Sequence, residues 1–189
     1  EDFLNTASFS FEYWLKTSAS GAGDNMVAMG RQGTTFEGET SQLHLWSGVS
    51  RSTGEVYFVA VDAHGNAAPG PNVEDGVLTG GDVNDGLWHY VVAIRDASTT
   101  TNKLYVDGVL VAESDPFNYP HWFGTHAGDP FNIGYLNWPP SGGGDFFFEG
   151  TLDEVAIYNR ALSATEILNN YTGGGTEHCA PGNYAPRIT

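Results

Sequence analysis

Alternation of apolar and polar residues along short segments is the feature that most constrains the fold of this chain. In the segment 9–16, Phe9, Phe11, Tyr13 and Leu15 occupy every second position. Successive side chains of a β-strand point to opposite faces, so this spacing predicts a half-buried strand. Runs rich in Val, Phe and Tyr predict further strands, at 43–46, 55–62, 87–95, 102–113, 131–135 and 147–158.

The segment 102–113 predicts a β-hairpin. Asp107-Gly108 separates two apolar runs, and this dipeptide suits a type I′ turn. A two-residue turn pairs Val106 with Val109 and Leu104 with Val111, which places four aliphatic side chains on one face. Short strands, frequent turn residues and 25 glycines together indicate an antiparallel β-sandwich.

One short helix is expected after the last strand. Ser163-Ala-Thr-Glu166 has the form of a capping box, in which the Ser163 hydroxyl and the Glu166 carboxylate each accept from the other residue's amide. Ile167 and Leu168 follow, and Gly173 stands where helices commonly end. We expect this helix to lie across one sheet.

The chain is strongly acidic, with 23 Asp and Glu against 7 Lys and Arg and a formal charge of −16. Such a surface repels phosphate groups, which argues against nucleic acids and anionic membranes as partners and favours divalent cations. Adaptation to a salty habitat would produce the same excess. No apolar run reaches the roughly 18 residues of a membrane span, so we expect a soluble segment without membrane insertion. We also expect this segment to belong to a longer polypeptide.

Cys179 is the single cysteine, which excludes an internal disulfide framework and a cysteine-based zinc site. It lies in the Gly- and Pro-rich stretch 173–189, which we expect to be a tail or a linker to a following module. Residues 1–172 are expected to form the folded domain. Cys179 is then either exposed in the linker or paired with a cysteine of another segment.

Three sequence motifs resemble those of laminin-G-like domains of the bacterial, concanavalin A-like branch. Residues 85–96 and 102–112 are similar to the family's "dGxWHxvAxxyD…LYVDGxxva" core, 149–167 to its closing "GxIDEVxIYNRALSxxEI", and 9–16 to its early "FTvsxWvK". The resemblance implies a jelly-roll sandwich in a secreted or cell-surface protein, commonly glycan-binding and often with a structural calcium ion. The chain departs from the pattern at 1–5, where an edge strand is nearly absent, and at 114–148, which is unusually long and aromatic.

Most of the motif residues are expected to be fold determinants, including Trp88, His89, Tyr105 and 160–163. His89 lies on a predicted strand without a second metal ligand at suitable spacing. A hydrogen-bonded histidine is therefore expected rather than a metal-bound one.

Asp153 is a candidate metal ligand. If Val155 and Ile157 point into the core, strict alternation points Asp153 inward as well. A carboxylate near a low-dielectric interior needs compensation by backbone amides or by a hard cation with oxygen ligands. The family resemblance implies Ca²⁺ here; a hydrogen-bonded or solvated Asp153 is the alternative. Asp24, in the Gly-rich turn 21–25, is a second candidate ligand or an ordinary turn residue.

The aromatic stretch 114–150 is the candidate ligand-binding region. Sugar rings stack on Trp and Tyr while carboxylates and amides bind their hydroxyls, and long loops in compact domains often carry function. The alternative is that some of these aromatics close one end of the sandwich. The predicted binding residues are Tyr119, His121, Trp122, Trp138 and Asp145.

Catalytic signatures are missing from the sequence. A retaining glycosidase needs two carboxylates about 5–5.5 Å apart, but Asp153 and Glu154 alternate across a strand and Glu37 and Glu39 lie in an expected loop. A lyase needs a Tyr or His base beside an arginine, and the arginines are scattered. Because hydrolases and lyases also use this fold, the fold alone does not decide.

We therefore expect a non-catalytic extracellular module that binds a polysaccharide or glycan and holds a structural calcium ion. The runner-up is a calcium-dependent protein-interaction or adhesion domain of a large surface protein, whose partners would be cell-surface or neighbouring domains. A glycan-cleaving enzyme is the third possibility.

Overall fold

The computed structural model describes residues 7–22, 26–32, 43–62, 65–71, 73–74, 76–121, 123, 131–137 and 145–173. The expected tail at 173–189 lies outside these residues except for Gly173. The described elements, in chain order, are β1 (Phe9–Lys16), β2 (Met26–Gln32), β3 (Leu43–Val49), β4 (Glu55–Ala60), β5 (Val73–Glu74), β6 (Val77–Asp82), β7 (Trp88–Asp96), β8 (Thr101–Val106), β9 (Val109–Glu113), β10 (Phe131–Ile133), β11 (Tyr135–Asn137), β12 (Asp145–Phe147), β13 (Thr151–Tyr158) and α1 (Ala164–Thr172).

The strands form two large antiparallel sheets. One has the order β13-β1-β7-β8-β9 and the other β10-β2-β3-β4-β6-β5, while β11 and β12 pair as a small third sheet. The last strand thus lies beside the first, and long connections cross between the sheets. The predicted antiparallel jelly-roll β-sandwich with one short C-terminal helix is confirmed.

A single apolar core fills the space between the two large sheets. Phe11 and Leu15 of β1 meet Leu45 and Phe58 of the opposite sheet, and all four are fully buried. Ser47 provides a polar link across this core, since its Oγ lies 2.7 Å from the Tyr13 hydroxyl and donates to the Tyr57 carbonyl at 2.9 Å. The hydroxyls of Tyr13 and Ser47 are therefore both hydrogen-bonded, as buried polar groups generally are.

Helix α1 begins and ends where the sequence predicts. The Ser163 hydroxyl accepts from the Glu166 amide at 3.3 Å, and the Glu166 carboxylate accepts from the Ser163 amide at 2.8 Å. Gly173 ends the helix in the left-handed region, with a φ of 73°. Among the described residues, no helix has the length and apolar character needed to cross a bilayer.

The helix covers the outer face of the five-stranded sheet. Ile167 and Tyr171 pack against Trp14 and Tyr90, and the Trp14 and Tyr171 rings stack with centroids 6.1 Å apart. Strand β1 is therefore buried on both faces, and the prediction of a half-buried strand is wrong. The alternation correctly separates the two faces of the strand, but it does not reveal that a helix covers the second one.

The hairpin of β8 and β9 has the predicted turn but not the predicted register. Asp107 and Gly108 both have positive φ, at 52° and 78°, and Val106 pairs with Val109. Beyond this pair, an irregularity in the ladder aligns Leu104 with Ala112 rather than with Val111. A β-bulge shifts register by one residue in this way.

The small sheet of β11 and β12 lies on the outer face of the six-stranded sheet. Phe146 packs against Trp46, with ring centroids 5.8 Å apart, and both contact Val27. Glycines make room for the bulky rings of this face: a Cβ on Gly30 would lie 2.6 Å from that of Trp46, and one on Gly48 would overlap the Tyr57 hydroxyl. The sandwich therefore carries a third layer here.

Candidate functional site

Tyr119, one of the predicted binding residues, lies in the core with 6% of its surface exposed. Its hydroxyl donates to the Ala60 carbonyl at 2.8 Å and accepts from the Asn102 amide at 2.7 Å. The ring packs 4.8 Å from that of Phe123, and the Arg95 guanidinium lies 4.9 Å above it. With both its ring and its hydroxyl engaged, Tyr119 closes one end of the sandwich and offers no surface to a sugar.

The other predicted binding residues have different outcomes. His121 is exposed, and its backbone amide donates to the buried Asp62 carboxylate at 3.3 Å. Asp145 is the first residue of β12, where it pairs with Asn137. Trp122, Trp138 and the candidate metal ligand Asp24 lie outside the described residues.

The exposed aromatic surface of the described chain is on the small sheet. Tyr135 and Phe147 are cross-strand neighbours, exposed by 39% and 57%. Their ring planes are inclined by 28°, with centroids 6.4 Å apart, so the rings form one continuous face. Ile133, in the neighbouring strand β10, is 52% exposed. We call Tyr135 and Phe147 the aromatic platform.

The platform rests on a packed support. Alternation along β12 points Phe146 toward Trp46 and Phe147 away from it, because consecutive residues of a strand face opposite ways. The Phe148 amide then donates to the Gly134 carbonyl at 2.8 Å, which ties the end of the hairpin to its start. The two exposed rings are thus held on a fixed layer.

A polar pocket of about 310 Å³ lies where β1 ends and β13 begins. It is lined by Lys16, Thr17, Ser18, Ala19, Gly86, Glu149, Gly150 and Thr151. Glu149 follows Phe147 by two residues, so one short segment connects the platform to the pocket.

Hydrogen bonds of Thr17 fix the pocket walls. Its hydroxyl donates to the Glu149 carbonyl at 2.6 Å and accepts from the Ala19 amide at 3.0 Å, and its carbonyl accepts from the Gly86 amide at 2.8 Å. Gly150 allows close packing, because a Cβ there would overlap the Lys16 carbonyl oxygen. The pocket is therefore preformed.

Asp153 does not point inward, and the strict alternation assumed for it is wrong. Glu154 has a positive φ of 48°, and the pairing of β13 with β1 shifts register at this point. Asp153 consequently pairs with Trp14, whose ring lies on the outer face, while Val155 still packs into the core. The bulge reverses the face of Asp153 and removes the argument that it needs a cation to offset burial in the core.

Few side-chain oxygen ligands are available to a calcium ion at Asp153. Its Oδ1 accepts from the Glu154 amide at 2.8 Å, which leaves Oδ2 available. Within the described ranges, no three His, Cys, Asp or Glu side chains cluster as metal ligands. Any ion here would therefore depend on carbonyl and water oxygens, which hard cations accept.

His89 is hydrogen-bonded, as predicted, but by two carboxylates. Its Nδ1 lies 2.7 Å from Asp107 Oδ2 in the hairpin turn, and its Nε2 lies 3.1 Å from Asp85 Oδ1. Burial by itself lowers the pKa of His89, but the two carboxylates outweigh burial and raise it. Asp85 also accepts from the Leu87 amide, so this cluster holds the 85–87 turn that lines the pocket through Gly86.

Two buried carboxylates of the described chain have structural partners. Glu12 accepts from the Tyr158 hydroxyl and from the Asn170 amide, beneath α1. Asp62 accepts from the backbone and side-chain amides of Asn66. These acids stabilise a helix and a turn, and neither lines the pocket beside the platform.

Sequence reasoning missed Tyr135 and Phe147 as candidate binding residues, although it placed them in the aromatic stretch. The available signal was alternation: if Phe146 packs inward, Phe147 must face outward. No sequence pattern could have predicted the pocket in the same way, because its lining residues come from three segments that are distant in sequence.

The comparisons with solved structures show the fold. A protein from Bacteroides ovatus described as carbohydrate-binding matches with a TM-score of 0.60 and 17% identity, over 90% of this chain and 42% of that one. Domain 4 of the extracellular arabinanase AbnA from Geobacillus stearothermophilus, in complex with arabinotriose, matches with a TM-score of 0.52 and 18% identity, over 88% and 66%. A Trypanosoma rangeli sialidase in complex with sialic acid matches with a TM-score of 0.58 and 18% identity, over 89% and 23%.

The chain thus spans less than half the length of the Bacteroides protein and about a quarter of the sialidase. No curated protein matches its sequence. A family model matches residues 1–168, which include all three sequence motifs. By this match, the chain belongs to the concanavalin A-like lectin/glucanases superfamily.

Proposed function

We propose that this domain is a non-catalytic, extracellular carbohydrate-binding module that contacts glycans through the aromatic platform. The observation that carries the proposal is the cross-strand pair of Tyr135 and Phe147, two large rings exposed side by side on a supported layer. Apolar patches of this kind on a protein surface mark interaction sites.

The chemistry of the platform suits a sugar. The C–H faces of a pyranose are flat and apolar, so they stack on aromatic rings, while the hydroxyls at the ring edge require hydrogen bonds. Lys16, Ser18 and Thr151 of the adjoining pocket supply donors, and Glu149 supplies acceptors. An apolar platform beside polar groups is what glycan binding needs.

Three structural neighbours support this function by analogy. The Bacteroides protein is described as carbohydrate-binding, the arabinanase domain holds arabinotriose and the sialidase holds sialic acid. Because the sialidase is an enzyme, fold similarity alone does not separate binding from catalysis. The non-catalytic part of the proposal rests on the missing catalytic signatures of the sequence.

Calcium belongs to the proposal as a stabilising ion at Asp153. It would be held by the free carboxylate oxygen and by backbone carbonyls near the bulge, and it would supply a fixed positive charge at the start of β13. The resemblance to laminin-G-like domains supports this assignment, as it supports an extracellular location.

A glycan array tests the binding function. We expect Phe147→Ala and Tyr135→Ala to lose most binding at unchanged melting temperature, since both side chains are exposed. Leu168→Ala is a matched control, because Leu168 is 50% exposed on α1 and lies away from the platform. Full binding by both platform variants, or no glycan bound by the unmodified protein, would contradict the proposal.

The exposed platform also suits a protein partner, which is the second candidate function. In that case the same platform variants would lose binding to the protein partner, and the array would show no glycan preference.

A further inference from the structure

The pocket at the end of β1 contains a lysine that none of the described acids neutralises. Lys16 lines the pocket and forms no ion pair with any acid among the described side chains. The other cations with described side chains are engaged: Arg51 by Glu149 at 2.9 Å, Lys103 by Asp96 at 3.0 Å, Arg160 by Glu166 at 2.7 Å, and Arg95 by the carbonyls of Thr100 and Phe117.

We propose that this pocket binds the acidic group of a sugar, a carboxylate or a sulfate ester, with Lys16 as its counter-charge. The proposal rests on the proposed glycan-binding function and adds the class of ligand. The chain has 23 acids and only 7 cations. A cation without an acidic partner among the described side chains is therefore available to an anion from outside.

The acids that flank the pocket are compensated. The Glu149 carboxylate, which also lines the pocket, is held by Arg51 at 2.9 Å. Asp85, beside Gly86 of the lining, accepts from the Leu87 amide at 2.7 Å and contacts His89 at 3.1 Å. These partners reduce the repulsion that an incoming anion would meet beside Lys16.

The size and placement of the pocket fit one sugar unit beside the platform. Its volume of about 310 Å³ is at the lower end of the ~300–1,000 Å³ range of ligand pockets. The hydroxyls of Ser18 and Thr151 line it and can bond to the ring hydroxyls of that unit. The next sugar along the chain would then stack on Tyr135 and Phe147, because residues 147–149 connect the two surfaces.

Polymers that share a backbone and differ in acidic groups test whether Lys16 recognises a negative charge on the ligand. Polygalacturonate and its methyl-esterified form share a backbone and differ in free carboxylates. κ-Carrageenan and its unsulfated counterpart, β-carrageenan, form a comparable pair for sulfate. We expect Lys16→Gln to bind the acidic polymer roughly tenfold more weakly, the effect of losing one charge-assisted hydrogen bond. It should leave binding of the neutral polymer unchanged, and Lys16→Arg should restore affinity.

Arg160→Gln is the control, since it removes the same formal charge at the exposed start of α1. If Lys16→Gln weakens binding to only one of the two acidic polymers, the result supports the proposal and identifies carboxylate or sulfate as the ligand group. Equal weakening for acidic and neutral polymers, or unchanged binding to both acidic polymers, would overturn it. The platform variants separate the glycan-binding proposal from the acidic-ligand proposal. If Phe147→Ala and Tyr135→Ala both leave all binding intact, the proposed function fails. If they lose binding while Lys16→Gln has no effect, only the acidic ligand is rejected.

Discussion

The pairing of His89 with two carboxylates should make the stability of the domain depend on pH near neutrality. His89 joins the hairpin turn at Asp107 to the 85–87 turn, and its side chain is only 13% exposed. The pKa of His89 is raised in the folded protein, whereas an unfolded histidine titrates near 6.5. Protonated His89 therefore stabilises the folded state. Its contribution is complete below pH about 6.5 and is lost as the pH rises through the higher folded pKa.

The size of the effect follows from the two contacts. A hydrogen bond to a charged group contributes about 1.5–3 kcal/mol. The Asp85 carboxylate is 49% exposed, so solvent screens most of its share. We therefore expect His89→Gln, which keeps a neutral donor, to cost about 2 kcal/mol at pH 5.5. For a domain of this size that corresponds to a fall of roughly 4–8 °C in melting temperature.

Thermal unfolding followed by calorimetry between pH 5.5 and 9 measures this contribution. The melting curves of the unmodified protein and of His89→Gln should converge as the pH rises, because neutral histidine loses the charge that Gln also lacks. His121→Gln is the control, since it replaces a histidine at the surface. A constant difference across the range, or one that grows with pH, would refute the linkage.

Other predictions follow from the same contacts. Tyr119→Phe leaves the Ala60 carbonyl and the Asn102 amide without a buried partner, so it should cost about 1–3 kcal/mol in denaturant unfolding and leave glycan binding intact; reduced binding at unchanged stability would return Tyr119 to the binding surface. Asp153→Ala should lower the melting temperature in calcium and erase any difference between calcium and chelator; if the unmodified protein melts identically in both, the calcium proposal is wrong. Assays of reducing ends and of unsaturated uronates on plant and marine polysaccharides should stay at background, and turnover by the pure domain would make it an enzyme.

Features fixed by neighbouring residues could be predicted from the sequence. The Asp107-Gly108 turn requires two positive φ angles, and the capping box from Ser163 to Glu166 closes within one helical turn. Each depends on four residues or fewer, so distant contacts change them little. The alternation in 9–16 also located β1 correctly.

Features set by neighbouring strands could not be predicted in this way. The bulge at Glu154 reverses the face of Asp153, and the irregularity beside Leu104 shifts the hairpin register. Both arise where paired strands must match twist and length, which the alternation of a single strand does not encode. Strands β2 and β6 were missed for a related reason: their glycines interrupt the apolar pattern.

The layering of the fold explains why the proposed binding surface lies on the small sheet and not on either large sheet. The outer face of the five-stranded sheet is covered by α1, whose Ile167 and Tyr171 pack on Trp14 and Tyr90. On the six-stranded sheet, Trp46 is covered by Phe146 of the small sheet.

On the far side of that small sheet, alternation turns Phe147 outward as it turns Phe146 inward. In the proposed function Phe146 acts indirectly, because its packing on Trp46 holds Phe147 beside Tyr135. A sugar stacked on the platform would then contact the six-stranded sheet only through this intervening layer, and the geometry of the platform depends on the fit between Phe146 and Trp46.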